Sequence, residues 1–224
     1  MKNLNIHIQV QQELYLKNPD STVLGRSIVS SSIELINYLG FEAFTFKKLG
    51  EIINSPESSI YRYFESKHTL LVYLTSWYWN WIEYKLVFAT ANVESPFQRL
   101  MESIKILTRQ ISEDDYFPEI DVRILEKIII TESTKTYLTK HVAQENEKGY
   151  FKAYKQVVKR VSDIVMEINP IYKYPLMLIT TIIEGAHHQR YFAEHLPSLT
   201  NTFINSADNI SDFYTHLILK AIEE

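Results

Sequence analysis

Residues 40–67 read GFEAFTFKKLGEIINSPESSIYRYFESK. Gly40 follows an apolar-periodic stretch of Ile28, Leu35, Ile36 and Leu39 and is placed to end a first helix as its C-terminal glycine. Phe41 to Phe44 form a short link. Thr45 stands where an N-cap belongs, ahead of Phe46, Leu49, Ile52 and Ile53. Asn54-Ser55-Pro56 then interrupts. Asparagine tolerates the left-handed backbone of a tight interhelical turn. Ser55 is suited to cap, and Pro56 suits a first helical position. A brief helix is predicted from Glu57 to Phe64. Ile60 and Phe64 lie four apart and face inward, while Glu57, Ser58, Ser59 and Arg62 face outward. Ser66 caps the next helix, which begins at Lys67. Two short helices on a tight turn, the second small and polar outside, describe a helix-turn-helix whose second helix fits a major groove. The same pattern also describes three ordinary core helices.

A resemblance favours the first description. Gly40 to Thr45, then Leu49-Gly50, then Ser59-Ile60-Tyr61-Arg62-Tyr63-Phe64-Glu65-Ser66-Lys67 resembles the N-terminal signature of the TetR (tetracycline-repressor-like) family. That signature runs G-x-x-x-x-T, an aliphatic and a small residue, a turn, then T-L-Y-x-Y-F-x-S-K. The spacing from Gly40 to Phe64 matches without a gap. Asn54 replaces the usual turn glycine, Ser55 a hydrophobic residue and Pro56 a serine. Gly50 is the small residue that permits a close helix crossing. The resemblance implies an all-α chain with a three-helix DNA-binding head and a helical ligand-binding and dimerisation body. It divides the chain into an arm (residues 1–20), a head (21–67) and a body (68–224). It implies a homodimeric repressor, bound to a double-stranded operator and released by a small-molecule effector.

Chemistry assigns roles within the head. Lys67 opens a helix whose backbone N–H groups add to its charge, so it is a phosphate-contact candidate. Thr45, Lys47, Lys48, Tyr61 and Tyr63 are further phosphate candidates. Arg62 is suited to read guanine bidentately. Glu57 is suited to accept from a cytosine amino group, and Ser58 and Ser59 to donate or accept.

Bulk charge gives no help. Net charge is −4 and the pI about 6.0, which is not the signature of a nucleic-acid protein. Residues 1–70 carry seven cationic and seven acidic side chains and are neutral. DNA contact must then rest on the placement of a few cations. This neutrality, with the acid Glu57, supports a second reading: a helical small-molecule-binding dimer whose head does not bind DNA.

Composition excludes other classes. The 224 residues suffice for a real core. With no cysteine there is no disulfide, thiolate metal site or cysteine nucleophile. The absence is consistent with a cytoplasmic location. None of the five glycines builds a G-x-G-x-x-G or P-loop. The longest apolar run, Leu70 to Leu74, is far short of the roughly 20 residues of a membrane span. Leu4, Ile6, Ile8 and Val10 alternate with polar residues. That period reads either as a loose arm or as a short strand docked on the body or a partner.

Beyond the head, helical periodicity continues, with Pro96 and Pro118 opening helices and Asn169-Pro170 ending one. Tyr73, Trp77, Trp81, Tyr84 and Phe88 form one aromatic stripe. It reads as core packing or as the wall of an apolar ligand pocket. Tyr73, Trp77, Trp81, Tyr84, Tyr154 and His188 are the ligand candidates, for a small apolar or aromatic molecule. Glu184, His188, Tyr191 and His195 share a helix face, but their spacing is no metal or catalytic signature. No enzyme activity, metal or cofactor is expected. The resemblance implies dimerisation through the last two helices, here Leu176 to His195 and Ser206 to Ile222. The apolar stripe of the final helix, exposed in a monomer, independently favours a partner.

Overall fold

A computed structural model describes residues 7–112, 115, 117–202 and 209–223. These residues form ten α-helices and no strand, apart from a single bridge between Phe117 and Ile120. The fold is all-α, as the periodicity predicts. Leu4 and Ile6 of the alternating segment, and Ser206 of the expected dimer segment, lie outside the described residues.

The helices group into two compact units, Met1–Asn80 with Ile111–Ala153, and Trp81–Gln110 with Tyr154–Glu224. The first unit is built on α1 (Val23–Leu39), α2 (Phe46–Ile52), α3 (Glu57–Ile60), the start of α4 (Lys67–Thr90), α6 (Val122–Tyr137) and α7 (Val142–Glu147). Local chemistry sets most of these ends. The Thr22 hydroxyl accepts the Gly25 N–H at 2.9 Å and starts α1. Gly40 stops it with φ +76°. Thr45 caps α2 through the Lys48 N–H, and Ser66 caps α4 through the Thr69 N–H. The buried face of α1 includes Ile28, Ile33 and Ile36 and packs against α6 and α2.

Two expected starts are displaced. Pro118 does not open a helix: Glu119 takes φ +68° and Phe117 bridges to Ile120, so the proline sits in a turn. The Asp121 carboxylate accepts the N–H groups of Arg123 and Ile124, and α6 begins after that cap. Pro56 is the N-cap of α3 rather than its first residue, and no side chain caps this helix.

Residues 7–21 are neither loose nor a strand. Two 3₁₀ turns, Gln12–Leu14 and Pro19–Ser21, carry them over the first unit. Ile8, Leu14 and Pro19 are buried there. The Leu16 N–H donates to the Tyr63 carbonyl at 2.8 Å, and the Tyr15 ring meets Tyr73 edge-on. Gly25 lets the arm come this close, since a Cβ there would lie 2.2 Å from the Pro19 carbonyl oxygen. Residues 7–10, the described part of the alternating segment, form no strand, and no strand among the described residues pairs their backbone.

The second unit holds the rest of α4, α5 (Pro96–Thr108), most of α8 (Lys152–Ile168), α9 (Pro175–His195) and α10 (Asn209–Ile222). Its core takes Leu100 and Ile104 from α5, Val157, Val161 and Val165 from α8, Ile179 and Ile183 from α9, and Ile218 from α10. Gly185 on α9 leaves room for the Tyr214 side chain of α10, whose hydroxyl would lie 2.2 Å from a Cβ there. Arg160 pairs with Glu83 and Arg99 with Glu167. Leu176, Met177 and Tyr191 on α9, and Phe213 and Leu217 on α10, remain exposed.

Candidate nucleic-acid interface

α2 and α3 are joined by a turn at the expected interruption, Asn54-Ser55-Pro56, with Ile53 closing α2 as its C-cap. Asn54 adopts φ +51°, and the Ser55 N–H donates to the Gly50 carbonyl at 2.9 Å. Gly50 is required for this closure. A Cβ there would stand 2.5 Å from the Ser55 carbonyl oxygen, a backbone atom that cannot swing aside. Gly50→Ala is therefore expected to push the turn open and cost roughly 1 kcal/mol or more. An unchanged melting temperature in this variant would contradict the close approach.

α3 is shorter than predicted. Its regular part ends at Ile60, after which the N–H groups of Tyr63 and Phe64 both turn back to the Ile60 carbonyl. Ile60 and Phe64 are fully buried, as expected of the inward pair. Ser58, Tyr61 and Arg62 are exposed and Glu57 and Ser59 half-buried. The Tyr61 ring leans edge-on against Phe46 at 5.0 Å, which holds its hydroxyl end outward from an apolar base.

The cations divide into two kinds. Lys47 and Arg62 extend to solvent with no ion-pair partner among the described residues. Lys48 is exposed, but its ammonium donates to the Ala43 carbonyl at 2.8 Å. Lys67 is engaged more fully. Its ammonium donates to the carbonyls of Phe41 and Glu42 at 3.1 Å and of Phe44 at 3.3 Å, and lies 4.9 Å from the Phe41 ring centre. Thr45 is exposed with its hydroxyl occupied as a cap. Tyr63 is buried, and its hydroxyl shares a 2.7 Å hydrogen bond with Thr22. Lys17 of the arm lies over the Tyr63 ring at 5.2 Å. Sequence reasoning missed Thr22 and Lys17 as neighbours of this face. Thr22 was legible as an N-cap, whereas nothing local marked its link to Tyr63.

The candidate ligand residues fall in both units. In the first, Tyr73 is fully buried between Phe64 and Tyr15, and burial, with Asp20 nearby, raises its hydroxyl pKa. Trp77 is buried edge-on against Phe117 at 4.9 Å. In the second, Trp81 is buried beneath the Lys85 ammonium, and Tyr84 stacks on the exposed Phe88. The Tyr154 hydroxyl donates to Glu184 at 3.1 Å, and burial, then the Glu184 charge, raises its pKa. His188 is exposed and stacks on Phe192. Its neighbour His187 is buried, and burial, with Arg190 and His188 nearby, pushes its pKa down to about 3. Among the described residues no group of three or more His, Asp or Glu side chains is arranged to hold a metal ion. None of their helices is long and apolar enough to cross a membrane.

No protein-family model matches the chain, and no curated protein is similar to it in sequence. Solved structures do share its fold. The superantigen PfiT matches with a TM-score of 0.58 at 13% identity, over 91% of this chain and 97% of its own. AibR in complex with isovaleryl coenzyme A and operator DNA matches with a TM-score of 0.53 at 15% identity, over 86% and 96%. Apo AibR gives 0.51 at 12% over the same shares. At these identities the likeness establishes the fold alone.

Proposed function

We propose that this chain is a dimeric DNA-binding transcriptional regulator of the TetR type, acting as a cytoplasmic repressor that a small apolar or aromatic molecule releases from its operator. The observation that carries this reading is the turn at Asn54. Closed on Gly50, it joins α2 to residues 57–64, the short α3 and the turn after it, which present Ser58, Tyr61 and Arg62 to solvent on a buried Ile60–Phe64 base. That is the form in which a helix enters a major groove. The match to AibR, a protein solved with operator DNA, supports the same reading. Residues 21–67 serve as the head and 68–224 as the body. The exposed apolar side chains of α9 and α10 supply the dimer contact. The effector acts by preferring a form in which the paired heads no longer fit half-sites about 34 Å apart.

Selection of duplex DNA by the purified protein at two salt concentrations tests this. The expected result is a pseudo-palindrome whose enrichment falls as salt rises. Lys47→Ala removes one phosphate partner per protomer. In a dimer it should flatten the slope of log K against log salt by about 2. Arg62→Ala should relax base preference at one position per half-site, by about 1–3 kcal/mol. A set of selected sequences identical for wild type and Arg62→Ala would remove Arg62 from base reading.

One observation favours the second reading. Two of the head's lysine ammonium groups, on Lys48 and Lys67, are occupied by backbone carbonyls in a head of zero net charge. A helical small-molecule-binding dimer with a silent head would show no salt-sensitive duplex binding, yet would still be stabilised by apolar compounds.

A further inference from the structure

The link between α1 and α2, residues 40–44, has no regular structure of its own, so its backbone groups need partners. The partners are charged side chains from two distant helices. From α4, Lys67 draws together the carbonyls of Phe41, Glu42 and Phe44. An ammonium has three donors, and three carbonyls within 3.3 Å of it use all of them. From α6, the buried Glu132 accepts the Phe41 N–H on one carboxylate oxygen at 3.4 Å. Its other oxygen takes the Lys135 ammonium at 2.6 Å, and Lys135 also reaches Glu42 at 3.2 Å. Both ammonium groups lie within 6 Å of the Phe41 ring, which is itself buried. Thr45, the cap of α2, follows the link directly.

We propose that Lys67 and Glu132 are positioning residues that latch the 40–44 link. They set how α2 and α3 sit on α1, and they govern DNA affinity through the backbone rather than by touching phosphate. The inference rests on the DNA-binding reading above. It places a determinant of that binding on α6, outside the helix-turn-helix and 91 residues from the link it holds. A lysine with its three donors spent must give up those carbonyls to meet a phosphate, whereas Lys47 need give up nothing.

The test uses the full-length protein and the operator recovered by selection. Lys67→Met should weaken binding about tenfold at every salt concentration, with the salt slope unchanged. Glu132→Ala should weaken it similarly, while Glu132→Gln, which keeps an acceptor for the Phe41 N–H, should restore most of the loss. The double variant Lys67→Met/Glu132→Ala should bind no worse than about threefold below the weaker single, because both act on one link. A slope that flattens by about 2 in Lys67→Met would place Lys67 on phosphate and overturn the proposal. So would an unchanged affinity, or a Glu132→Gln variant as weak as Glu132→Ala. Hydrogen exchange at the Phe41 amide reads the latch without DNA. Exchange about tenfold faster is expected in both Lys67→Met and Glu132→Ala, and unchanged protection overturns the latch. Should the wild type bind no duplex, the regulator reading falls while the exchange result still decides the latch.

Discussion

Phe64→Ala is expected to destabilise the first unit by about 3–5 kcal/mol, enough to leave it largely unfolded in a marginally stable chain. Phe64 is fully buried at the point where the recognition segment, α4 and the N-terminal arm meet. Its ring stands 5.1 Å from Tyr73, edge-on, and Tyr73 in turn takes Tyr15 of the arm at 6.2 Å. Its N–H closes the turn on Ile60. Removing the ring opens a cavity beneath the segment that must present Arg62, and loosens the seat of the arm. Urea unfolding would show a lower midpoint, and limited proteolysis would cut within residues 7–21 where the wild type resists. Phe64→Leu, which refills part of the volume, should recover about half of the loss. Phe88→Ala is the matched control, because that ring is 75% exposed and its loss should stay within about 0.5 kcal/mol. Equal effects at the two positions would refute the packing described for Phe64.

What could be read in advance was whatever a few neighbouring residues decide. Gly40, Thr45, Asn54 and Ser66 occupy the conformations or caps expected of them, because each outcome depends on groups within about four residues. Pro118 shows where such reading ends. A proline is compatible with a helix start, but a stronger local signal, the Asp121 carboxylate aimed at two N–H groups, lay three residues on. Lys67 and Tyr63 illustrate a different limit. Their residue types suit phosphate contact, and nothing nearby in sequence shows that Lys67 meets three link carbonyls or that Tyr63 meets Thr22. Glu132 was invisible for the same reason: its partner lies 91 residues away. On α4, Tyr73, Trp77, Trp81 and Tyr84 share a helix stripe. A period of 3.6 reports only that a face is shared, not what each ring meets along a long helix. Tyr73 is closed in by Phe64 and Tyr15, whereas Tyr84 is over a third exposed.

Acid should destabilise the second unit through one side chain. His187 is buried, and burial first, then the nearby Arg190 and His188, pushes its pKa down to about 3. In the unfolded chain the imidazole titrates near the ordinary 6.5. As pH falls below that value the unfolded state takes up a proton that the folded state refuses. The stability held above about pH 6.5 is therefore lost progressively toward pH 3. Between pH 7 and pH 5 the loss from this group amounts to about 2 kcal/mol. Replacing it in His187→Gln removes the titration, so the gap in unfolding free energy between wild type and variant should narrow by about that much across the same interval. The difference between the two curves cancels the groups they share. A wild-type-to-His187→Gln gap that stays constant from pH 7 to pH 5 would show that the imidazole is not held neutral. Protein concentration separates this effect from dimerisation. His187 shares the buried side of α9 with Ile179, Ile183 and Ala186, while Leu176, Met177 and Tyr191 are exposed. An acid effect arising inside one protomer keeps its size when the protein is diluted, whereas one arising at the proposed α9–α10 contact grows or shrinks with the fraction of dimer.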